Sequence, residues 1–263
     1  MIRKLAWLAI AGVAAFGAPQ NETAAATASL PKAETILDRF VEATGGKAAY
    51  DKRTGEISTG TFEMAAQGIK GSLTVYSAAP DKSYRVIELD GIGKVESGTG
   101  NGIAWEKNPM LGPRVMSGEE KAQNLREAAF NGAVNWRSLY VKAETTGVET
   151  IDGEECYKVV LTPAEGKPLT SYFQKKSGLA VKQSMVAASA MGEAPVDVAV
   201  SDYKSFGGIL TPTKMVQKVA GQEFTISIDK VQVNPEIPPD RFAIPAEVRA
   251  LLQKNSQGKS TKQ

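Results

Sequence analysis

The side chains that most often do chemistry are sparse in this chain, and their spacing argues against a reaction centre. With no histidine among its 263 residues, the sequence lacks the general base that works nearest neutral pH and the commonest transition-metal ligand. Histidine-based serine triads and zinc-hydrolase sites are thereby excluded, and neither a metal nor a cofactor is expected. Cys156 is the single cysteine, so no internal disulfide can form. In the alternating run around it, Cys156 falls on the face opposite Tyr157 and Val159, where a thiol behaves as a small buried hydrophobe. Two acidic pairs remain for acid–base work. Glu119-Glu120 follows Ser117 at capping-box spacing, and Glu154-Glu155 follows the Asp152-Gly153 turn, so each pair has a local structural use. The sequence therefore predicts that the protein is not an enzyme.

Where polar chemistry is thin, apolar chemistry is dense. Met110, Leu111, Met116, Leu125, Phe130, Trp136, Leu139 and Tyr140 crowd one segment that otherwise reads as loop and helix. Methionine adapts to irregular apolar surfaces and is over-used at promiscuous sites. Burying a hydrocarbon chain yields ~0.8 kcal/mol per CH₂, so such a surface needs no polar motif to hold a guest.

These residues must be carried by regular elements. Ala33, Ile36, Leu37, Phe40 and Val41 recur at helical spacing from Pro31 to Thr44, and Gly45-Gly46 stops that helix. From about Glu56 the period becomes two, and strand-like runs continue through Leu89. Two polar, glycine-rich stretches bracket Trp105, and a second helix is expected over Ser117–Asn131, with Ala122, Leu125 and Ala129 on one face. From Val141 to Val233 the pattern is strands again, separated by Asp152-Gly153, Ser177-Gly178, Gly207-Gly208 and Gly221. The fold class is mainly β with a few helices: a single curved antiparallel sheet of about eleven strands, an incomplete, half-open β-barrel covered by helical lid segments. If the interior is wide, helices must fill it or a ligand must occupy it.

Met1-Ile2-Arg3-Lys4 followed by an apolar run reads as a signal peptide over residues 1–28, cut within 18–28, which implies export from the cytoplasm. Residues 29–252 form one domain, and 253–263 read as a polar, disordered tail. Lys and Arg total 31 against 29 Asp and Glu, a formal net charge of +2. The basic residues are dispersed, so nucleic acid is not an expected partner.

Gly71–Tyr76 and Ser83–Leu89 flank Ala79-Pro80-Asp81-Lys82, and Asn101-Gly102, Trp105 and Pro109 follow. Further on come Tyr172-Phe173, the Gly178–Met185 strand and a closing Phe242-Ala243-Ile244-Pro245. Together these resemble LolA-like periplasmic lipoprotein carriers over most of Ser29–Val248. The resemblance implies a periplasmic carrier that binds acyl chains of lipoproteins or lipids in an apolar cavity for sorting toward the outer membrane. An inner-membrane transporter and an outer-membrane acceptor would be its further partners. With it, Phe62, Leu73, Val75, Tyr84, Val86, Trp105, Phe173 and Met185 join the eight residues above as candidates for the cavity or its lid. The family's arginine before the turn proline, which latches the lid, is replaced here by Ala79; Arg85 on the next strand is the available substitute. The alternative is a non-catalytic envelope sensor, as in RseB-like regulators, or a structural module whose interior is filled by its own side chains.

Overall fold

A computed structural model describes residues 29–260; the expected signal segment lies outside the described residues. The chain enters through α1 (Ala33–Ala43) and the short α2 (Lys47–Asp51). It then runs β1 (Gly55–Met64), β2 (Ile69–Ala78), β3 (Lys82–Leu89), β4 (Gly93–Gly100), β5 (Ile103–Asn108) and β6 (Gly112–Val115). Helices α3 (Gly118–Glu127) and α4 (Trp136–Leu139) follow. The second run of strands is β7 (Lys142–Ile151), β8 (Glu154–Thr162), β9 (Leu169–Gln174), β10 (Ala180–Ser189), β11 (Gly192–Phe206), β12 (Ile209–Val219) and β13 (Gln222–Val233). Helix α5 (Ala246–Ser260) ends the described chain.

All thirteen strands form one antiparallel sheet in the order β6-β5-β4-β3-β2-β1-β13-β12-β11-β10-β9-β8-β7. The first and last strands pair in its middle. Its two edges, β6 and β7, are consecutive in the chain and do not pair, so the sheet stays open. Helix α3 packs on β4 and β5 and also on β10, which lie far apart in that order. One helix can touch both only if the sheet curls around it.

The strand count exceeds the expected eleven because the glycine-rich stretches beside Trp105 are themselves strands, β4 and β6. Glycine weakens an isolated strand, but here it makes room. Gly98 pairs with Trp105, and a Cβ on Gly98 would sit 2.7 Å from the indole. Only glycine lets the ring lie flat on the neighbouring strand.

The core lies where α1 covers the β7 side. Ala33, Ile36 and Leu37 pack against Val159, Leu161, Phe173, Ala180 and Trp136, with Phe40 tilted on Phe173 at a centroid distance of 5.4 Å. Each large apolar side chain of this kind contributes about 1.5–3 kcal/mol on burial. Gly45, at φ +134°, brings the end of α1 against the β11–β12 turn; a Cβ there would lie 2.3 Å from the Gly208 carbonyl oxygen. Cys156 is fully buried in β8 and unpaired, and burial pushes its thiol pKa up.

At the other end of the chain, α5 packs on β6, with Val248 wholly buried. It runs through Ser260 and so continues into the stretch expected as a disordered tail from residue 253. The short 3₁₀ turn before it, Pro239–Phe242, packs on β3 and β4.

Candidate functional site

Register divides the sheet's side chains between two faces. Val75 pairs with Arg85, and Arg85 with Ser97; Gln183 pairs with Val198, and Met185 with Val196. All of these face the curled interior, where α3 lies above them. Their neighbours Tyr76, Tyr84 and Val86 point the other way.

Between the sheet and the segment 116–141 the interior is hollow. The largest cavity, about 580 Å³, lies between α3 and the inner faces of β3, β5, β6 and β9–β12. A second, about 290 Å³, is enclosed by Leu37 and Phe40 of α1, by Trp136, Leu139 and Tyr140, and by Leu161 and Phe173. Two more, about 340 and 200 Å³, lie beside Val75 and Ser83. All four share Glu127 as a lining residue, so they meet around the end of α3. The largest falls within the ~300–1,000 Å³ range of small-molecule sites.

The lining is mixed. The α1 flank is apolar, whereas α3 turns Glu120, Gln123, Asn124 and Glu127 toward the hollow, a polar stripe at helical spacing. This differs from the expected apolar lid face. Leu125 is half-buried and does not line any of these four cavities, and Gln123 is the buried residue of α3. The capping box is not made either: Ser117 caps with no side-chain bond. Glu120 instead accepts two hydrogen bonds from the Arg114 guanidinium, at 2.7 and 2.6 Å, while Glu106 takes a third at 2.7 Å. The bond to Glu120 is the main reason the Arg114 pKa is raised. Glu119 accepts the Lys167 backbone N–H at 2.8 Å.

Helix α3 is therefore fastened chiefly by polar contacts, whereas Trp136 further along anchors the same segment in the core. The Ala188 N–H donates to Gln123 Oε1 at 3.2 Å, and Arg126 donates to the Glu165 carbonyl at 3.2 Å. At the far end the Phe130 N–H donates to the Pro80 carbonyl at 2.9 Å, and Asn131 Nδ2 to the Tyr50 carbonyl at 2.8 Å. The turn that carries Ala79 in place of an arginine thus holds the lid through its backbone.

Eight of the residues singled out from the sequence line the hollow. Met116, Tyr140 and Met185 border the largest cavity; Val75 and Phe130 border that beside Arg53; Trp136, Leu139 and Phe173, with Tyr140, border the apolar one. Phe62 and Leu73 share the inner face with Val75 but lie past the cavities, Phe62 against Phe224 at 5.8 Å and Leu73 buried. Met110 and Leu111 are 87% and 52% exposed at the β5–β6 turn. Tyr84, Val86 and Trp105 are on the outer face. There Tyr84 donates to Glu96 at 2.5 Å, stacks with Tyr76 and packs tilted on Trp105, and Arg241 from the C-terminal segment sits over Tyr76. Arg85, Gln123, Glu127, Gln183 and Gln217 are among the polar residues of the lining. The i, i+3, i+4, i+7 spacing of Glu120, Gln123, Asn124 and Glu127 is the sequence signal for the polar face.

Among the described residues, no three His, Cys, Asp or Glu side chains converge to hold a metal ion, and no helix is long and apolar enough to cross a membrane. An open antiparallel sheet curled around a hollow, with a lid strung between its edges, defines a class of lidded half-barrels. No protein-family model and no curated protein matches the chain by sequence. Solved structures do match. A LolA superfamily protein from Nitrosomonas europaea superposes with a TM-score of 0.56 at 14% identity, covering 82% of this chain and 99% of its own. A DUF1329 family protein from Desulfovibrio piger gives 0.55 at 17% identity, covering 80% and 96%. A domain described as an outer membrane lipoprotein-sorting protein, from Vibrio parahaemolyticus, gives 0.54 at 14%, covering 80% and 97%. The fold of this chain is LolA-like.

Proposed function

We propose that the protein is a non-enzymatic periplasmic carrier that takes acyl chains of lipids or lipoproteins into the hollow under its lid. The observation that carries this reading is the lined, unfilled interior between an open sheet and a segment that closes it. A structural module would bury that space. Transfer of each CH₂ from water to the flank formed by Leu37, Phe40, Trp136 and Phe173 yields ~0.8 kcal/mol. A chain of moderate length then gains several kcal/mol, enough to offset the opening of a lid held by a few hydrogen bonds of about 0.5–1.5 kcal/mol each. The likeness to a domain described as lipoprotein-sorting supports the same reading.

Loading requires the lid to part from at least one edge of the sheet. The weakest fastening is the β10 side, where Gln123 makes a single amide bond to the Ala188 N–H and a 3.3 Å contact to the Met185 sulfur. The Arg114 guanidinium holds the β5–β6 side through charge-assisted bonds, which are stronger. The lid then swings about the β6 edge. Native mass spectrometry of protein released gently from the cell envelope tests the reading. Co-purifying acyl species and binding of a fluorescent fatty-acid probe are expected; a bare mass together with no probe binding would overturn it.

A further inference from the structure

Arg85 lines both the 580 and the 200 Å³ cavities, is exposed to solvent there, and its side chain has no hydrogen bond or ion pair to any described residue. The other arginines around it are engaged. Arg114 is clamped by Glu106 and Glu120, and Arg126 donates to the Glu165 carbonyl and faces the Tyr140 ring. Lys167 pairs with Glu193. Ser83 and Ser97 flank Arg85 on the same face, and Gln183 and Gln217 stand across the larger cavity; none of these four side chains has a partner among the described residues. This makes a ring of uncommitted donors around a free cation.

Water can reach Arg85, which is exposed. An oily guest alone would strip that water and leave Arg85 unpaired in an apolar medium, a cost that would cancel much of the gain from the acyl chain. A guest that brings its own negative group removes the cost. On this basis, and resting on the carrier reading above, we infer that the ligand is an anionic amphiphile whose phosphate or carboxylate is anchored by Arg85, with its hydrocarbon directed toward Val196, Val198 and the apolar flank. Guanidinium suits either group, since its fork of donors meets two oxygens at once. Glu127 on the lid lines both cavities with Arg85, and its carboxylate accepts from Gln123 at 3.0 Å. Removing that charge should tighten anion binding.

Displacement of a fluorescent fatty-acid probe by hexadecyl phosphate, hexadecanoate and hexadecanol tests this on the full chain. The unaltered protein should prefer the two anions over the alcohol. R85M should weaken the anions by about tenfold or more and leave hexadecanol near its original affinity. R85K should keep part of the preference, and E127Q should strengthen it. A phosphate preference marks a phospholipid headgroup as the source, and a carboxylate preference a free fatty acid. Equal loss for all three ligands in R85M, or no change in any, would overturn the headgroup assignment while the carrier reading stands. Failure of all three to displace the probe from the unaltered protein would overturn the carrier reading, and this inference with it.

Discussion

Two helices cover the inner face of the same sheet, yet they are built on opposite principles. α1 buries Ala33, Ile36, Leu37 and Val41, and its contacts continue into the cluster of Val159, Leu161, Phe173 and Ala180. α3 buries Gln123 and aims carboxylates and amides at the space beneath it. The first helix is welded on by dispersion and the hydrophobic effect, which cannot be undone without exposing hydrocarbon to water. The second is tied by hydrogen bonds that water can replace at little net cost. A helix welded to the core and a helix tied by exchangeable bonds are thus distinguishable by what they bury.

The sharpest way to break this comparison is Leu37→Ala. It should cost about 2–5 kcal/mol of global stability, read as a fall in the urea midpoint, because it opens a cavity in the welded flank. A loss below about 1 kcal/mol would mean that α1 is no better packed than α3.

Arg114→Ala should act differently. Backbone amides of α3 should exchange with deuterium about tenfold or more faster, since charge-assisted bonds of ~1.5–3 kcal/mol to Glu120 and Glu106 are lost. The urea midpoint should move less than in Leu37→Ala. If both variants unfold at the same lowered midpoint, the lid belongs to the core and the two-helix contrast fails.

The smallest effect is a reporter of which flank opens. Cys156 lies in β8, the strand whose opposite face carries Val159 and Leu161 of the welded flank, and its thiol pKa is raised by burial. In the native protein it should react slowly with a disulfide reagent, faster in Leu37→Ala, and at the unaltered rate in Arg114→Ala. Acceleration by Arg114→Ala would show that the two flanks loosen together.

Much of the β7–β13 meander is legible in the amino-acid order alone, because its strand-like runs are punctuated by turns such as Asp152-Gly153 and Gly207-Gly208, which adopt the positive φ that glycine permits. β4 is not legible in that way. Its Gly98 reads as a loop residue until Trp105, on the next strand, is seen to need the space. The site is legible only in part for a related reason. Met116, Tyr140 and Met185 announce themselves by type, but Tyr84 and Trp105 carry the same apolar signature and face outward, where a segment more than a hundred residues later covers them. Sequence spacing alone gives a residue's partners on its own strand, not which side of the sheet the distant chain will choose to cover. Arg85 shows the converse. Taken alone it reads as a solvated strand residue or a spare latch, and only the register with Val75 and Ser97 turns it inward.

Because the two unpaired borders of the sheet are neighbours along the chain, the stretch from Met116 to Val141 works as the drawstring of a pouch. Lengthening or shortening it would change the girth of the hollow without altering a single strand pairing.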